Sequence, residues 1–281
     1  MKVVVSGLGE MGASLALALK QNNNAIEIIG VDVSSTTLKK AQDTGLASQV
    51  DTDLTQVAPN ADVIILAGPT KVIIEQLSEL ANCSLKENVL VTDTGSTKVQ
   101  VLNAAQALLE KGIHFAGGHA MAGTQKAGIN AVDAHLYEHA PYFIVGPDQN
   151  ANEQLQKLLT PLKLTFIKLS ATKHDEMMAY LSDLPHIVAA GLVNSTRDAL
   201  QEFPDMPNYA AGGFKDTTRI GGADPKMWTD ILTTNREATL KSLKQFEMVL
   251  KELEVAVAAE DEHKIHDFFA SSKQLRQQFE E

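Results

Sequence analysis

The strongest constraint on the fold lies at the start of the chain. The β-branched run KVVVS (2–6) leads directly into GLGEMG (7–12), and the Ala- and Leu-rich stretch EMGASLALALKQN (10–22) follows. A G-x-G-x-x-G turn between a strand and a helix is the fingerprint of a dinucleotide-binding βαβ unit. Gly7 permits the tight turn, Gly9 lets a pyrophosphate approach the backbone, and Gly12 lets helix and strand pack closely. Leu8, Glu10 and Met11 complete the turn, and the helix N-terminus offers free N–H groups to phosphates. The next apolar run, AIEIIGVD (25–32), ends on Asp32, 20 residues past Gly12. A carboxylate there accepts from a ribose 2′-hydroxyl and repels a 2′-phosphate. No Arg follows among Val33, Ser34 and Ser35, so the expected cofactor is NAD rather than NADP.

Further apolar runs at 61–69, 88–96, 142–147 and 164–170 alternate with helical patterns at 34–45, 70–80, 97–112 and 151–160. Strands that are apolar throughout, interleaved with helices, predict a parallel sheet covered on both faces. Right-handed crossovers make that sheet doubly wound. After residue 170 the spacing turns helical: Trp228, Ile231, Leu232, Ala238, Leu240, Leu243, Phe246, Leu250 and Leu253 recur at steps of three and four. The expected fold is α/β: an N-terminal Rossmann domain over 1–170 and a C-terminal all-α domain over 171–281. Helices this apolar exceed what so small a domain covers by itself, which predicts a homodimer through them.

With 24 basic against 35 acidic residues, the formal charge is −11. That balance argues against nucleic acid and anionic membranes as partners, while leaving room for a small anion in a local basic pocket. No apolar stretch approaches a membrane span, and the N-terminus does not read as a signal peptide. The single cysteine, Cys83, excludes an internal disulfide and gives no metal cluster. His135 and His139 have a spacing that can bind zinc, but no third ligand is evident, so no metal is expected. The expected location is the cytoplasm.

Three stretches carry candidate chemistry. TDTGSTK (92–98) sits at the C-terminal end of a strand, where doubly wound sheets face their ligand. Ser96 there suits either a helix N-cap or a substrate contact. GGHAMAGTQKAG (117–128) reads as a loop at the same edge. His119 in it can take a proton from a hydroxyl while hydride leaves the same carbon, and Thr124 and Lys126 are candidate ligand contacts. Two Gly pairs in AAGGFKDTTRIGGADPKMW (210–228) bracket Lys215, Asp216 and Arg219, in what reads as a loop between helices. Arg suits a carboxylate because its planar fork binds both oxygens. His186 lies on an apolar helical face, where a core role competes with a ligand contact.

Together, GLGEMG with Asp32, TDTGSTK, GGHAMAGTQKAG, HDEMMAYLSDLPH and GGFKDTTRIGGADPKMW resemble the prephenate dehydrogenase family in order and spacing. The resemblance runs through nearly the whole chain. It implies a Rossmann domain followed by a helical dimerisation domain, and oxidative decarboxylation of prephenate by NAD to 4-hydroxyphenylpyruvate. By this likeness His119 is the catalytic histidine and Ser96 helps position it and the substrate hydroxyl. Arg219 holds a substrate carboxylate, His186 and Thr124 lie near the substrate, and Asp175 lies near the domain hinge. Lys215 is a further carboxylate candidate. Two positions depart from the family pattern: Ala120 replaces the proline of HPMAG, and Asp183 replaces the first histidine of HLPH. Arogenate dehydrogenase is the near alternative. A β-hydroxyacid dehydrogenase, which also begins GLGxMG, would use a lysine rather than His119.

Overall fold

The computed structural model describes residues 1–124 and 128–280. Lys126 lies outside them. The chain resolves into two compact units, Met1–Asn235 and Arg236–Glu281.

In the first unit the strands are β1 (Lys2–Ser6), β2 (Glu27–Val31), β3 (Gln49–Asp51), β4 (Val63–Leu66), β5 (Leu90–Asp93), β6 (His114–Ala120), β7 (Pro141–Val145) and β8 (Thr165–Leu169). They form one sheet in the order β3-β2-β1-β4-β5-β6-β7-β8. Helices α1 (Glu10–Asn22), α2 (Ser35–Asp43), α3 (Leu54–Val57), α4 (Thr70–Leu80), α5 (Val99–Leu109) and α6 (Gln149–Leu159) connect the strands. The strands are apolar on both sides because both faces are covered. Val3, Val5, Ile28 and Ile65 pack with Leu15 and Leu19 of α1 and Leu155 and Leu159 of α6. Their neighbours Val4, Ile29, Ile64 and Leu66 pack on the other face with Ile73 and Leu77 of α4 and Val101 and Leu108 of α5. The period-two alternation of a strand thus feeds two cores. The helix expected from Ser34 begins as predicted, with that side chain accepting from Thr37 N–H (3.2 Å).

The sheet departs from the all-parallel expectation at one pair. β6 runs parallel to β5 through His114–Ala116 and then antiparallel to β7 through Gly117–Ala120. The stretch read as a loop from residue 117 is therefore strand up to Ala120. Gly117 and Gly118 serve packing there rather than turning. A Cβ on Gly118 would overlap the Tyr142 hydroxyl and lie 2.6 Å from the Asp93 carbonyl oxygen; one on Gly117 would lie 2.9 Å from the Val145 carbonyl oxygen.

After β8 the unit turns helical: α7 (Ala171–Met178), a π-helical turn (Ala179–Asp183), α8 (Leu184–Ser195), α9 (Arg197–Glu202), α10 (Met206–Tyr209), α11 (Gly212–Thr218), a 3-10 turn (Arg219–Gly222) and α12 (Pro225–Thr234). The stretch 210–228, expected as a loop, is mostly helical. Its 3-10 turn packs so closely on α8 that a Cβ on Gly221 would lie 2.9 Å from the Ala189 carbonyl.

The second unit contains α13 (Arg236–Ala258) and α14 (Glu262–Gln277), joined by a turn in which Glu260 has φ 51°. Asp261 starts α14 by accepting from Lys264 N–H (3.1 Å). Met248, Val255 and Val257 on α13 and Phe269 and Leu275 on α14 are all more than half exposed. No described helix is long and apolar enough to cross a membrane.

Candidate active site

The glycine turn forms a phosphate cradle. Gly7 has φ +94°, and a Cβ there would lie 2.7 Å from the Ala67 backbone, so glycine is required. A Cβ on Gly12 would overlap the Gly7 carbonyl oxygen, whereas one on Gly9 would meet nothing within 4 Å. The turn is closed where helix packs on strand and open where a ligand approaches. Gly9 caps α1 with no side-chain hydrogen bond. Asp32, immediately after β2, steadies the turn: Oδ2 accepts from Leu8 N–H (2.9 Å) and Oδ1 from Ser34 N–H (2.9 Å). Carboxylate oxygens have further lone pairs for a ribose hydroxyl. These residues fit a dinucleotide.

Thr124 is tied to the start of α1. Its N–H donates to Glu10 Oε2 (2.9 Å) and its hydroxyl to Glu10 Oε1, in the first turn of α1. The Tyr137 hydroxyl donates to the Met11 carbonyl (2.9 Å), tying α1 to the connection between β6 and β7.

His119 stands in β6, opposite Phe143 of β7. Its Nδ1 lies 2.8 Å from His174 Nε2. His174 Nδ1 lies 2.7 Å from Asp175 Oδ1. The same carboxylate accepts from Lys98 N–H (2.7 Å) and Val99 N–H (2.8 Å), capping α5 from α7. Burial pushes the His119 imidazole well below its usual value; Lys98, and a proton on His174 if one were added, push the same way. A neutral imidazole is the form that can accept a proton.

Beneath His119, Asp93 and Lys98 form an ion pair that is fully buried. Asp93 also accepts from Gly95 N–H (2.8 Å) and Gly118 N–H (3.2 Å). Burial raises the Asp93 carboxyl against the pull of Lys98 and both N–H groups. The pair fixes the β5–α5 connection, which carries Ser96, to β6, which carries His119. Ser96 is half-buried there. It is not the N-cap of α5: that position is Lys98, and Asp175 supplies the capping carboxylate.

The remaining candidates lie on α8 and the segment packed against it. His186 Nδ1 donates to the Ser182 carbonyl (2.8 Å), which leaves Nε2 as the acceptor in the neutral ring. Its ring stacks on Trp228 of α12 at 3.9 Å. The Trp228 indole N–H is buried without a hydrogen-bond partner among the described residues. Lys215 and Arg219 are exposed, four residues apart along a helical run, and no hydrogen bond or ion pair holds either among the described residues. Asp183 is buried and accepts from Asn235 Nδ2 (2.8 Å), which also donates to the Asp175 carbonyl (2.9 Å).

Sequence reasoning missed His174, the Asp93–Lys98 pair and Trp228. The usable signal was chemical rather than periodic: a His-Asp dipeptide at 174–175, and a Lys five residues after an Asp at a strand end.

Residues 15–169 match the family model described as prephenate dehydrogenase, nucleotide-binding domain, and 170–271 match prephenate dehydrogenase, dimerization domain. Prephenate dehydrogenase of Lactococcus lactis subsp. cremoris is 38% identical over 280 residues, covering 99% of this chain and 77% of that protein. Among solved structures, prephenate dehydrogenase from A. aeolicus in complex with hydroxyphenyl propionate and NAD+ superposes with a TM-score of 0.90 at 30% identity, covering 99% of this chain and 98% of that one. Synechocystis arogenate dehydrogenase gives 0.81 at 31% identity, covering 99% and 100%. With both family models and this relative matching along nearly its whole length, the chain belongs to the prephenate dehydrogenase family.

Proposed function

We propose that the chain is an NAD-dependent prephenate dehydrogenase that converts prephenate to 4-hydroxyphenylpyruvate and carbon dioxide. The observation that carries this reading is His119: an imidazole kept neutral by burial, at the ligand-facing end of a sheet that also holds the Gly7–Gly12 cradle. NAD, held by Gly7, Leu8, Gly9, Glu10, Met11, Gly12 and Asp32, supplies the hydride acceptor. His119 Nε2 takes the proton of the ring hydroxyl, and the freed electron pair forms a carbon–oxygen π bond as hydride leaves the same carbon. Loss of the ring carboxylate then puts its C–C pair into the ring and returns a pair to oxygen as phenolate. The phenolate recovers the proton from His119, so no proton is consumed overall.

Ser96 steadies the substrate hydroxyl. Arg219 and Lys215 receive the substrate carboxylates, and His186 lies beside the substrate. Thr124, held by Glu10 in the first turn of α1, lies near the substrate. We take 1–170 as the nucleotide-binding part and 171–281 as the helical part. The exposed apolar faces of α13 and α14 suit a homodimer, and the enzyme is expected to be cytoplasmic.

The test is NADH formation by purified protein with prephenate and NAD. Folded protein that binds NAD but reduces none with prephenate refutes the reading. Faster turnover on arogenate, assayed alongside, transfers it to arogenate dehydrogenase.

A further inference from the structure

The chain of hydrogen bonds behind His119 has only one consistent arrangement of protons when both rings are neutral. The Asp175 carboxylate is an acceptor, so His174 Nδ1 carries the proton between them. A neutral imidazole with its proton on Nδ1 has a lone pair on Nε2, so His174 Nε2 accepts. The proton between the two rings therefore sits on His119 Nδ1. That leaves His119 Nε2 bare. The geometry is rigid: His174 is fully buried, and its ring makes edge contacts with both His119 (5.0 Å) and Phe143 (5.2 Å). Asp175 is held in turn by the two N–H groups that start α5.

We propose that His174 and Asp175 are positioning residues that fix His119 as its Nδ1–H tautomer, presenting Nε2 as the base. The inference rests on the reading of His119 as the proton acceptor. Asp175 thereby has two tasks. It caps α5, which anchors the Ser96 connection, and through His174 it orients the base. When Nε2 takes the substrate proton, Nδ1–H stays in place and its bond to His174 becomes charge-assisted. The groups near His119 are His174 from α7, Phe143 from β7 and Lys98 from the β5–α5 connection.

The direct test is 15N NMR of the imidazole nitrogens in the full-length, NAD-bound protein. His119 is expected as the Nδ1–H form. Finding it as Nε2–H in the wild type overturns the proposal, whatever the variants do. In His174→Phe, which removes the acceptor, His119 should lose the uniform Nδ1–H form. The kcat should fall roughly 100-fold, the scale of a lost general base, with KM for prephenate within about three-fold. His174→Gln offers an amide oxygen near the Nε2 position and should recover most of that turnover together with the tautomer. Unchanged kcat in His174→Phe, or equal losses in both variants with KM raised alike, overturns the proposal in favour of a packing role. The tautomer measurement needs no turnover. An Nδ1–H His119 in protein inactive on prephenate would refute the substrate reading alone.

Discussion

His119 Nδ1 lies 2.8 Å from His174 Nε2, so two imidazoles from different elements, a strand and a helix, share one hydrogen bond. β6 contributes the first and α7 the second, 55 residues later. Nothing in the local sequence of either announces the other. The pairing exists because β6 turns antiparallel to β7 and brings residue 119 beneath the first turns of α7.

The first prediction concerns the base. His119→Asn keeps a polar side chain of similar reach but cannot accept and return a proton. Its kcat is expected to fall by about 10²- to 10⁴-fold, with KM for prephenate changed much less. Steady-state kinetics at saturating NAD check this. Activity left largely intact would point to the lysine-based chemistry of the β-hydroxyacid enzymes.

The pH dependence follows from the same residue. Folded His119 titrates well below the unfolded value of about 6.5, chiefly through burial. Its neutral form therefore contributes stability that is fully present above about pH 6.5 and is lost as pH falls toward the folded value. Urea midpoints measured from pH 8 down to 5 should drop more steeply in the wild type than in His119→Asn. The acid limb of kcat is expected below pH 6.5, and a limb above it would contradict the buried, neutral imidazole.

Asp32 is expected to act twice. Asp32→Ala removes the ribose acceptor and also the partner of Leu8 N–H in the glycine turn. The KM for NAD should rise at least about ten-fold, which is ~1.4 kcal/mol. Discrimination against NADP should narrow at the same time. Assays with both cofactors decide it, and an unchanged NAD KM would mean that the ribose lies elsewhere.

The Asp93–Lys98 pair predicts a large asymmetry. Lys98→Met leaves the buried Asp93 carboxyl without its partner, and should cost about 3–5 kcal/mol. The double variant Asp93→Asn with Lys98→Met should lose distinctly less. Chemical denaturation of the three proteins measures the difference. Equal losses would show that Lys98 matters for its packing rather than its charge.

Residues 118 and 120 should respond in opposite ways. Gly118→Ala drives a Cβ into the Tyr142 hydroxyl, an overpacking expected to cost at least about 1–3 kcal/mol. Ala120→Pro should be tolerated. Met121 N–H donates to the Pro141 carbonyl (2.8 Å), so the alternation of an antiparallel ladder puts Ala120 at a non-hydrogen-bonded pair with Tyr142. A proline there removes no ladder bond. Thermal midpoints and turnover of both variants are the measurements.

Much of the molecule was legible from local chemistry. The run 2–12 specified strand, turn and helix because only glycine satisfies φ +94° at position 7 and the close approach at position 12. Strands apolar on both faces announced a sheet buried between helix layers. Spacing from the glycine turn made Asp32 a candidate, and chemical type, position and the family resemblance together made His119 and Arg219 candidates. Two local readings failed for a physical reason. Glycines at 117 and 118 look like turn residues, yet they are strand residues kept small by the Val145 carbonyl at 117 and by Tyr142 and Asp93 at 118. The glycines around 212 and 221 look like linker, yet one lies at the start of α11 and the other packs tightly on α8.

By itself, then, the sequence determined the elements whose causes lie within a few residues: the dinucleotide cradle, the covered sheet, the caps at Ser34 and Asp261, and the kinds of group available for chemistry. Only the tertiary structure decided which of those groups meet. The antiparallel reversal at β6, the bond from Thr124 to Glu10, the bonds from Lys98 and Val99 to Asp175, and the contact of His119 with His174 all join residues distant in the chain. Side-chain hydrogen bonds reach about 3 Å, and sequence carries no record of which distant atoms folding brings within that reach.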